Sequence, residues 1–325
     1  MKRLTQEQRY LISRLRAKKE SQRATASYLG VSHSTVSREI RRNTGSNGYD
    51  NLQAHEKAKT RRKIASRVCR KLTATTIQII NQLLQEEQWS PVQISAYLKK
   101  LNINISHETI YRHIKADRKN KGSLYKNLRR KGKRYRKKFK NGSDRSLIPN
   151  RVSIEKRPEI VKTKSRIGDF ELDTIVGAKH KGAIVSIVDR KSKFVKLVLL
   201  DKSSAKNVAA AITDSLLPFK DCVKTLTSDN GREFTNHQDV SEQLQAKFFF
   251  ARPYHSWERG LNENTNGLVR QYFPKKFDFR TITQAEVSAV ETKLNSRPRK
   301  TLNFKTPKDV FFSDFFGSQS GALAC

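Results

Sequence analysis

Cysteine is scarce in this chain of 325 residues: Cys69, Cys222 and Cys325 lie far apart, with no CxxC pair. That spacing excludes a zinc-finger ligand set and a disulfide framework, and it fits a reducing compartment. Long apolar runs are missing too. None approaches the roughly 18 residues that a bilayer span needs, and Met1-Lys-Arg-Leu-Thr5 lacks the apolar stretch of a secretion signal. A soluble, cytoplasmic protein with no membrane partner is expected. Acid is the third shortage, with 30 Asp/Glu against 67 Lys/Arg and a net charge of +37. The deficit is lopsided. Residues 1–164 hold 42 Lys/Arg and 12 Asp/Glu (net +30), whereas residues 165–325 hold 25 and 18 (net +7). An excess so large and uneven goes beyond what solubility requires and points to nucleic acid. The first half reads as the anion-binding part and the second as the chemical part. With 36% apolar residues, a chain of this length can fill two or three domain cores.

Thr5-Gln-Glu-Gln8 is a capping-box pattern opening a helix with Leu11, Ile12 and Leu15 as its apolar positions. A short helix near Ser21–Leu29 stops at Gly30, and another begins at Ser32 and runs to Arg42. Helix, glycine turn, helix is the helix-turn-helix layout, with Ser32–Arg42 as the recognition helix. Val36 and Ile40, four apart, face the core. His33, Ser34, Thr35, Ser37, Arg38, Arg41 and Arg42 are left for base edges and phosphates. An ordinary helical hairpin would show the same caps. A second unit repeats the order. Ile77, Ile79, Ile80 and Leu83 mark one helix, and Ser90-Pro-Val-Gln93 caps another. Ser106-His-Glu-Thr-Ile-Tyr-Arg-His-Ile114 gives a third, with His107, Thr109 and Arg112 as its DNA candidates. Residues 118–140 contain 13 Lys/Arg and no acid, interrupted by Tyr125, Tyr135 and Phe139. The run is either a solvated tether or a clamp along phosphates, and Arg129, Arg130, Arg134 and Lys137 are its candidate contacts.

From Ile167 the texture becomes strand-like. Asp169–Val176, Ala183–Asp189 and Phe194–Leu200 alternate or run apolar between short turns, which predicts a three-strand antiparallel meander. A helix over about Ser204–Leu217, strands at Val223–Thr227 and Lys247–Ala251 around a short helix, and a long helical region from Trp257 follow. The order βββαβαβα is that of a ribonuclease-H-like nucleotidyl-transfer core. The predicted fold is therefore multidomain. Two N-terminal all-α helix-turn-helix modules precede an α/β ribonuclease-H-like (integrase) catalytic core with a mixed five-stranded sheet. The expected boundaries are 1–56 and 72–117 for the modules, 57–71 and 118–164 for basic linkers, and 165–325 for the core with its C-terminal helices.

Three acidic stretches stand out in this cationic chain: Glu171-Leu-Asp-Thr-Ile-Val176, Thr227-Ser-Asp-Asn-Gly-Arg-Glu-Phe234 and Glu258-Arg-Gly-Leu-Asn-Glu-Asn264. The two-residue period puts Asp169, Glu171 and Asp173 on one strand face without choosing among them. Asp229 ends a strand in turn chemistry, Asp-Asn-Gly. Glu258 and Glu263, five apart, point in different directions on the later helical segment. Hard oxygen ligands of this kind suit Mg2+ or Mn2+, and two such ions serve in-line phosphodiester displacement.

These stretches resemble the insertion-sequence transposases of the IS-thirty family, in the wider Asp-Asp-Glu class with retroviral-type integrases. The resemblance spans nearly the whole chain. It is carried by Ser34-Thr-Val-Ser-Arg-Glu-Ile-Arg-Arg-Asn43, Ser106-His-Glu-Thr-Ile-Tyr111, Gly168-Asp-Phe-Glu-Leu-Asp-Thr-Ile-Val-Gly177 and, most densely, Pro253–Pro274, with 33 residues between Asp229 and Glu263. It implies Asp173, Asp229 and Glu263 as catalytic metal ligands for two Mg2+ or Mn2+ ions. It also implies that His255, Arg259, Asn262, Asn264 and Asn266 position DNA or the active-site helix. The chain departs from the pattern at Leu261, Thr25 and Asn303, none of them an acidic candidate.

A nucleoid-associated bacterial transposase is expected on this basis. It would bind the terminal inverted repeats of its own element, cleave and transfer strands, and act on double-stranded end and target DNA as a homodimer or larger assembly. Two rivals stand beside it: a DNA-binding regulator with an inert core, and a plain nuclease without end specificity.

Overall fold

The computed structural model describes residues 4–46, 48–68, 72–129, 131, 148–253 and 255–322, which divide into two compact units with the chain boundary after residue 74.

The first unit holds helices α1 (Gln6–Ala17), α2 (Gln22–Tyr28), α3 (His33–Asn43) and α4 (Asn51–Val68). The capping box forms as the sequence implies: the Thr5 hydroxyl accepts from the Gln8 N–H and the Gln8 side chain accepts from the Thr5 N–H. Gly30 turns the chain out of α2 with φ +62°, a left-handed conformation that costs glycine little. Leu4, Ile12, Ala26, Val36 and Ile40 form the small core. Arg9, 6% exposed, pairs with Glu39 (Nε to Oε1, 2.6 Å) and donates to the Leu4 carbonyl, tying α1 to α3. Thr25 is buried and donates back to the Ser21 carbonyl at 2.9 Å, so its hydroxyl is satisfied locally. Residues 57–68, expected as linker, lie in α4, where Arg61 donates to Asn43 Oδ1 at 2.6 Å.

The second unit opens with α5 (Ala74–Gln85), α6 (Pro91–Lys100) and α7 (His107–Lys119), packed through Ile80, Leu84, Ile94, Leu98, Ile110 and Ile114. This module docks on the catalytic part of the same unit. Gln93 Nε2 donates to the Pro298 carbonyl (2.7 Å), while Lys293 and Arg297 donate to the carbonyls of Glu86 and Glu87 (2.7 and 3.2 Å). In the segment before the sheet, a short α8 (Ile160–Thr163) buries Val161, and Ile148 enters the main core.

A mixed five-stranded sheet follows, made of β1 (Asp169–Val176), β2 (Ala183–Asp189), β3 (Val195–Leu200), β4 (Thr225–Ser228) and β5 (Lys247–Phe250), in the order β3-β2-β1-β4-β5. β1–β2 and β2–β3 pair antiparallel; β1–β4 and β4–β5 pair parallel. The helices are α9 (Ala205–Leu216), α10 (His237–Leu244), α11 (Gly260–Tyr272), α12 (Gln284–Asn295) and α13 (Pro307–Ala322). Phe170 and Leu172 of β1 join one core with Val208, Ile212, Val240 and Phe311; Ile175 joins another with Leu268, Val269, Val287 and Leu294. The acids of β1 fall on the face of Ile175, as a two-residue period requires. Asn303 adopts φ +51°, a conformation asparagine tolerates better than most residues. Among the described residues, no helix is long and apolar enough to cross a membrane.

Gly168 fixes the start of β1. Its φ is +94°, its carbonyl accepts from the Lys224 N–H at 2.8 Å, and a Cβ there would lie 1.7 Å from the Cys222 carbonyl oxygen. Gly168→Ala is expected to lose about 3–5 kcal/mol of stability, because strain and a backbone clash coincide. Urea denaturation of the purified variant checks this.

Candidate active site

The strand register brings the first two acidic stretches together. β1 and β4 pair in parallel with Glu171 opposite Thr227. Two residues farther along each strand come Asp173 and Asp229, so the register carries these two carboxylates side by side at the end of β4, on strands about 4.8 Å apart. Arg259, at the entry to α11, reaches both: Nη2 to Asp229 Oδ2 is 2.9 Å and Nη1 to Asp173 Oδ1 is 3.4 Å. A cation therefore already bridges the pair.

Asp173 is held on its other side by Asn266, whose Nδ2 donates to Oδ2 at 2.6 Å, and by its neighbour's backbone, the Thr174 N–H donating to Oδ1 at 3.0 Å. Asn266 is itself oriented by Ser186, which donates to its Oδ1 at 3.0 Å. Burial pushes the Asp173 carboxyl above its ordinary pKa; the negative charge of Asp229 adds to that and Arg259 opposes it. Asp229 closes a tight turn by accepting from the Gly231 N–H at 3.0 Å. Glu263 lies in the first turn of α11 and is exposed. It stands one helical turn before Asn266, hence on the same side of the helix. Among the described residues, no three His, Cys, Asp or Glu side chains are gathered into a ligand set. The aspartates are brought together and Glu263 is not drawn in with them.

The other acids of these stretches have partners of their own. Glu171, 1% exposed, forms an ion pair with Arg190 and accepts from the Asn262 N–H at 3.2 Å. Asp169, equally buried, pairs with Arg166 (3.0 Å) and accepts from the Thr225 hydroxyl at 2.8 Å. Glu258 pairs with Arg252 at 2.7 Å. Sequence reasoning singled out none of Arg190, Arg166 or Ser186. The only hint for Arg190 is a cation set directly after the apolar run Ala183–Asp189.

The chain matches the family model described as an integrase core domain over residues 168–256, a helix-turn-helix domain over 1–43 and a homeodomain-like domain over 35–114. It is 44% identical over 95% of its length to the transposase for insertion sequence element IS4351 of Bacteroides fragilis, covering 95% of that protein. It is 37% identical to the transposase for IS1086 of Cupriavidus metallidurans, over 94% of this chain and 93% of that one. It is 36% identical to transposase InsI for IS30A of Escherichia coli, over 90% and 79%. This chain belongs to the insertion-sequence transposases of the IS-thirty family.

The candidate DNA contacts of this transposase-family chain divide by exposure. His33, Ser34, Arg38, Arg41 and Arg42 are exposed along α3; Thr35 and Ser37 are half-buried, and Thr35 shares a hydrogen bond with Ser32 at 2.8 Å. On α7, His107 and Arg112 are exposed, and Thr109 shares a hydrogen bond with Ser106. Arg129 donates to Asn264 Oδ1 at 2.9 Å. Arg130, Arg134 and Lys137 lie outside the described residues. His255 is half-buried, with Nδ1 2.8 Å from the Pro253 carbonyl, whereas Asn262 is 1% exposed and faces the protein interior.

Proposed function

We propose that this chain is a DNA transposase that binds the terminal inverted repeats of its own insertion sequence and performs strand cleavage followed by strand transfer. One observation carries the reading above the others: Asp173 and Asp229, 56 positions apart in the chain, share one guanidinium where two parallel strands run in register. Paired carboxylates that already hold a cation are a donor set that fits a hard divalent ion. Asp173 and Asp229, joined by Glu263 from α11, would hold Mg2+ or Mn2+, two ions per site, whose charge activates the attacking oxygen and stabilises the leaving one in an in-line displacement.

The remaining roles fall to side chains. Asn266, braced by Ser186, keeps Asp173 in one rotamer aimed at the site. Arg259 neutralises the aspartates in the resting protein and is placed to turn onto a phosphate when they take a divalent cation instead. Glu171–Arg190 and Asp169–Arg166 hold β1 in place and take no part in the reaction. Water attack on the phosphodiester at the element end leaves a 3′ hydroxyl, and that hydroxyl then attacks a second phosphodiester. The exposed residues of α3 and α7 supply end recognition, and two copies of the chain hold two ends at once.

Incubation of the protein with Mg2+ and a labelled duplex carrying the element's own end is expected to give a nick at that end and then a joined product. Absence of nicking under any divalent ion favours a regulator with an inert core. Nicking spread along the duplex without joining favours a nuclease.

A further inference from the structure

A cavity of about 170 Å3 opens between the α5–α6 connection, the segment Asn127–Arg129 and helix α11. A single water needs roughly 10–15 Å3 of such space, so the cavity has room for a polyatomic ligand. Its lining is one-sided in charge, since Arg129, Arg297 and Arg299 all contribute to it. Arg297 is 2% exposed and Trp89 8%, yet the Nε of Arg297, the Nε of Arg299 and the indole N–H of Trp89 are buried with no hydrogen-bond partner. These three donors and one acceptor, the Gln88 amide oxygen, are the unpaired buried atoms among the lining residues, and leaving them so is costly.

Buried Arg297 and half-buried Arg299 are each anchored through Nη2. Arg297 donates to the Tyr272 hydroxyl (2.7 Å) and the Glu87 carbonyl (3.2 Å), and Arg299 donates to the Leu294 carbonyl (3.2 Å). Among the described residues neither makes an ion pair with a carboxylate, and Glu87 is the acid whose field Arg297 feels. Burial, together with the charges of Arg297 and Arg129, pulls the Arg299 guanidinium down to about 10. Arg299 thus feels the repulsion of both neighbouring guanidinium groups.

We propose that this cavity binds a phosphate oxyanion. Arg129, Arg297 and Arg299 would supply the charge, and the Trp89 indole N–H a neutral donor. Arginine forks and buried N–H groups match the oxygens of phosphate in number and geometry. The occupant is either a phosphodiester of bound DNA or a free phosphate. Neither Asp173 nor Asp229 lines it, so the phosphate test does not read those carboxylates.

The test is the melting temperature of the full chain in inorganic phosphate against chloride at equal ionic strength, for the wild type, Arg299→Gln and Arg129→Gln. A Tm that climbs with phosphate in the wild type and stays flat in both variants is expected, with far-UV circular dichroism showing that the variants fold. Arg129 is exposed, so its variant remains informative if Arg299→Gln does not fold. Equal gains in all three proteins, or no gain over chloride, would overturn the proposal. Duplex binding against salt separates the two sources. If DNA supplies the phosphate, the slope of log K against log salt shrinks by about 0.9 in Arg299→Gln. An unchanged slope beside a lost phosphate effect assigns the cavity to free phosphate.

Discussion

Asp229→Asn is expected to abolish strand cleavage and joining while leaving end binding nearly intact. The substitution keeps the shape of the side chain and its hydrogen bond from the Gly231 N–H, but removes the charge that Arg259 reaches at 2.9 Å. Groups that hold catalytic ions support several kcal/mol of transition-state stabilisation, which corresponds to a rate loss of roughly 10³-fold or more. End binding should persist because the proposed function assigns it to α3 and α7, which are remote in sequence from residue 229. A gel-shift assay with the end duplex, run beside the cleavage assay on the same preparation, measures both quantities. Cleavage that survives the substitution removes Asp229 from the reaction.

Glu171→Gln should behave in the opposite way. Glu171 shares the strand face of Asp173, yet it is 1% exposed and paired with Arg190, which is only 5% exposed. Removing its charge leaves a buried guanidinium uncompensated, at a cost of about 3–5 kcal/mol. Against a typical domain stability of roughly 5–15 kcal/mol, that removes a large share of the margin. The expected result is a large fall in the urea midpoint of the catalytic unit, with loss of activity following loss of fold. A variant that keeps its midpoint and loses only cleavage would make Glu171 a ligand. The two substitutions together separate acids that build the site from acids that work in it.

The sheet was legible because its alternation is strong: Phe170 and Leu172 against Asp169, Glu171 and Asp173 on β1 place one face in a core and the other toward α11. The capping boxes at Thr5 and Ser90 form where the motifs stand. Choosing among the three acids of β1 was beyond spacing, because a period reports a face and never a partner. Arg190 sits 19 residues from Glu171, and only the β1–β2 pairing brings them together. The docking of the second helix-turn-helix on the catalytic part was equally hidden, since it rests on backbone carbonyls such as Pro298 O and Glu86 O, which leave no mark in composition. The helix over residues 57–68 read as linker because it is polar on nearly every side and lacks an apolar stripe. Arg259 was placed near the site by resemblance, but its hold on both aspartates follows only from where the chain enters α11.

The most direct measurement is a crystal structure of the protein soaked with Mn2+, read by anomalous scattering. Bound manganese against Asp173 and Asp229, with Glu263 turned toward it and Arg259 withdrawn, is the result this account predicts. Arg259 still bridging the aspartates, with manganese elsewhere or absent at saturating concentration, would contradict it.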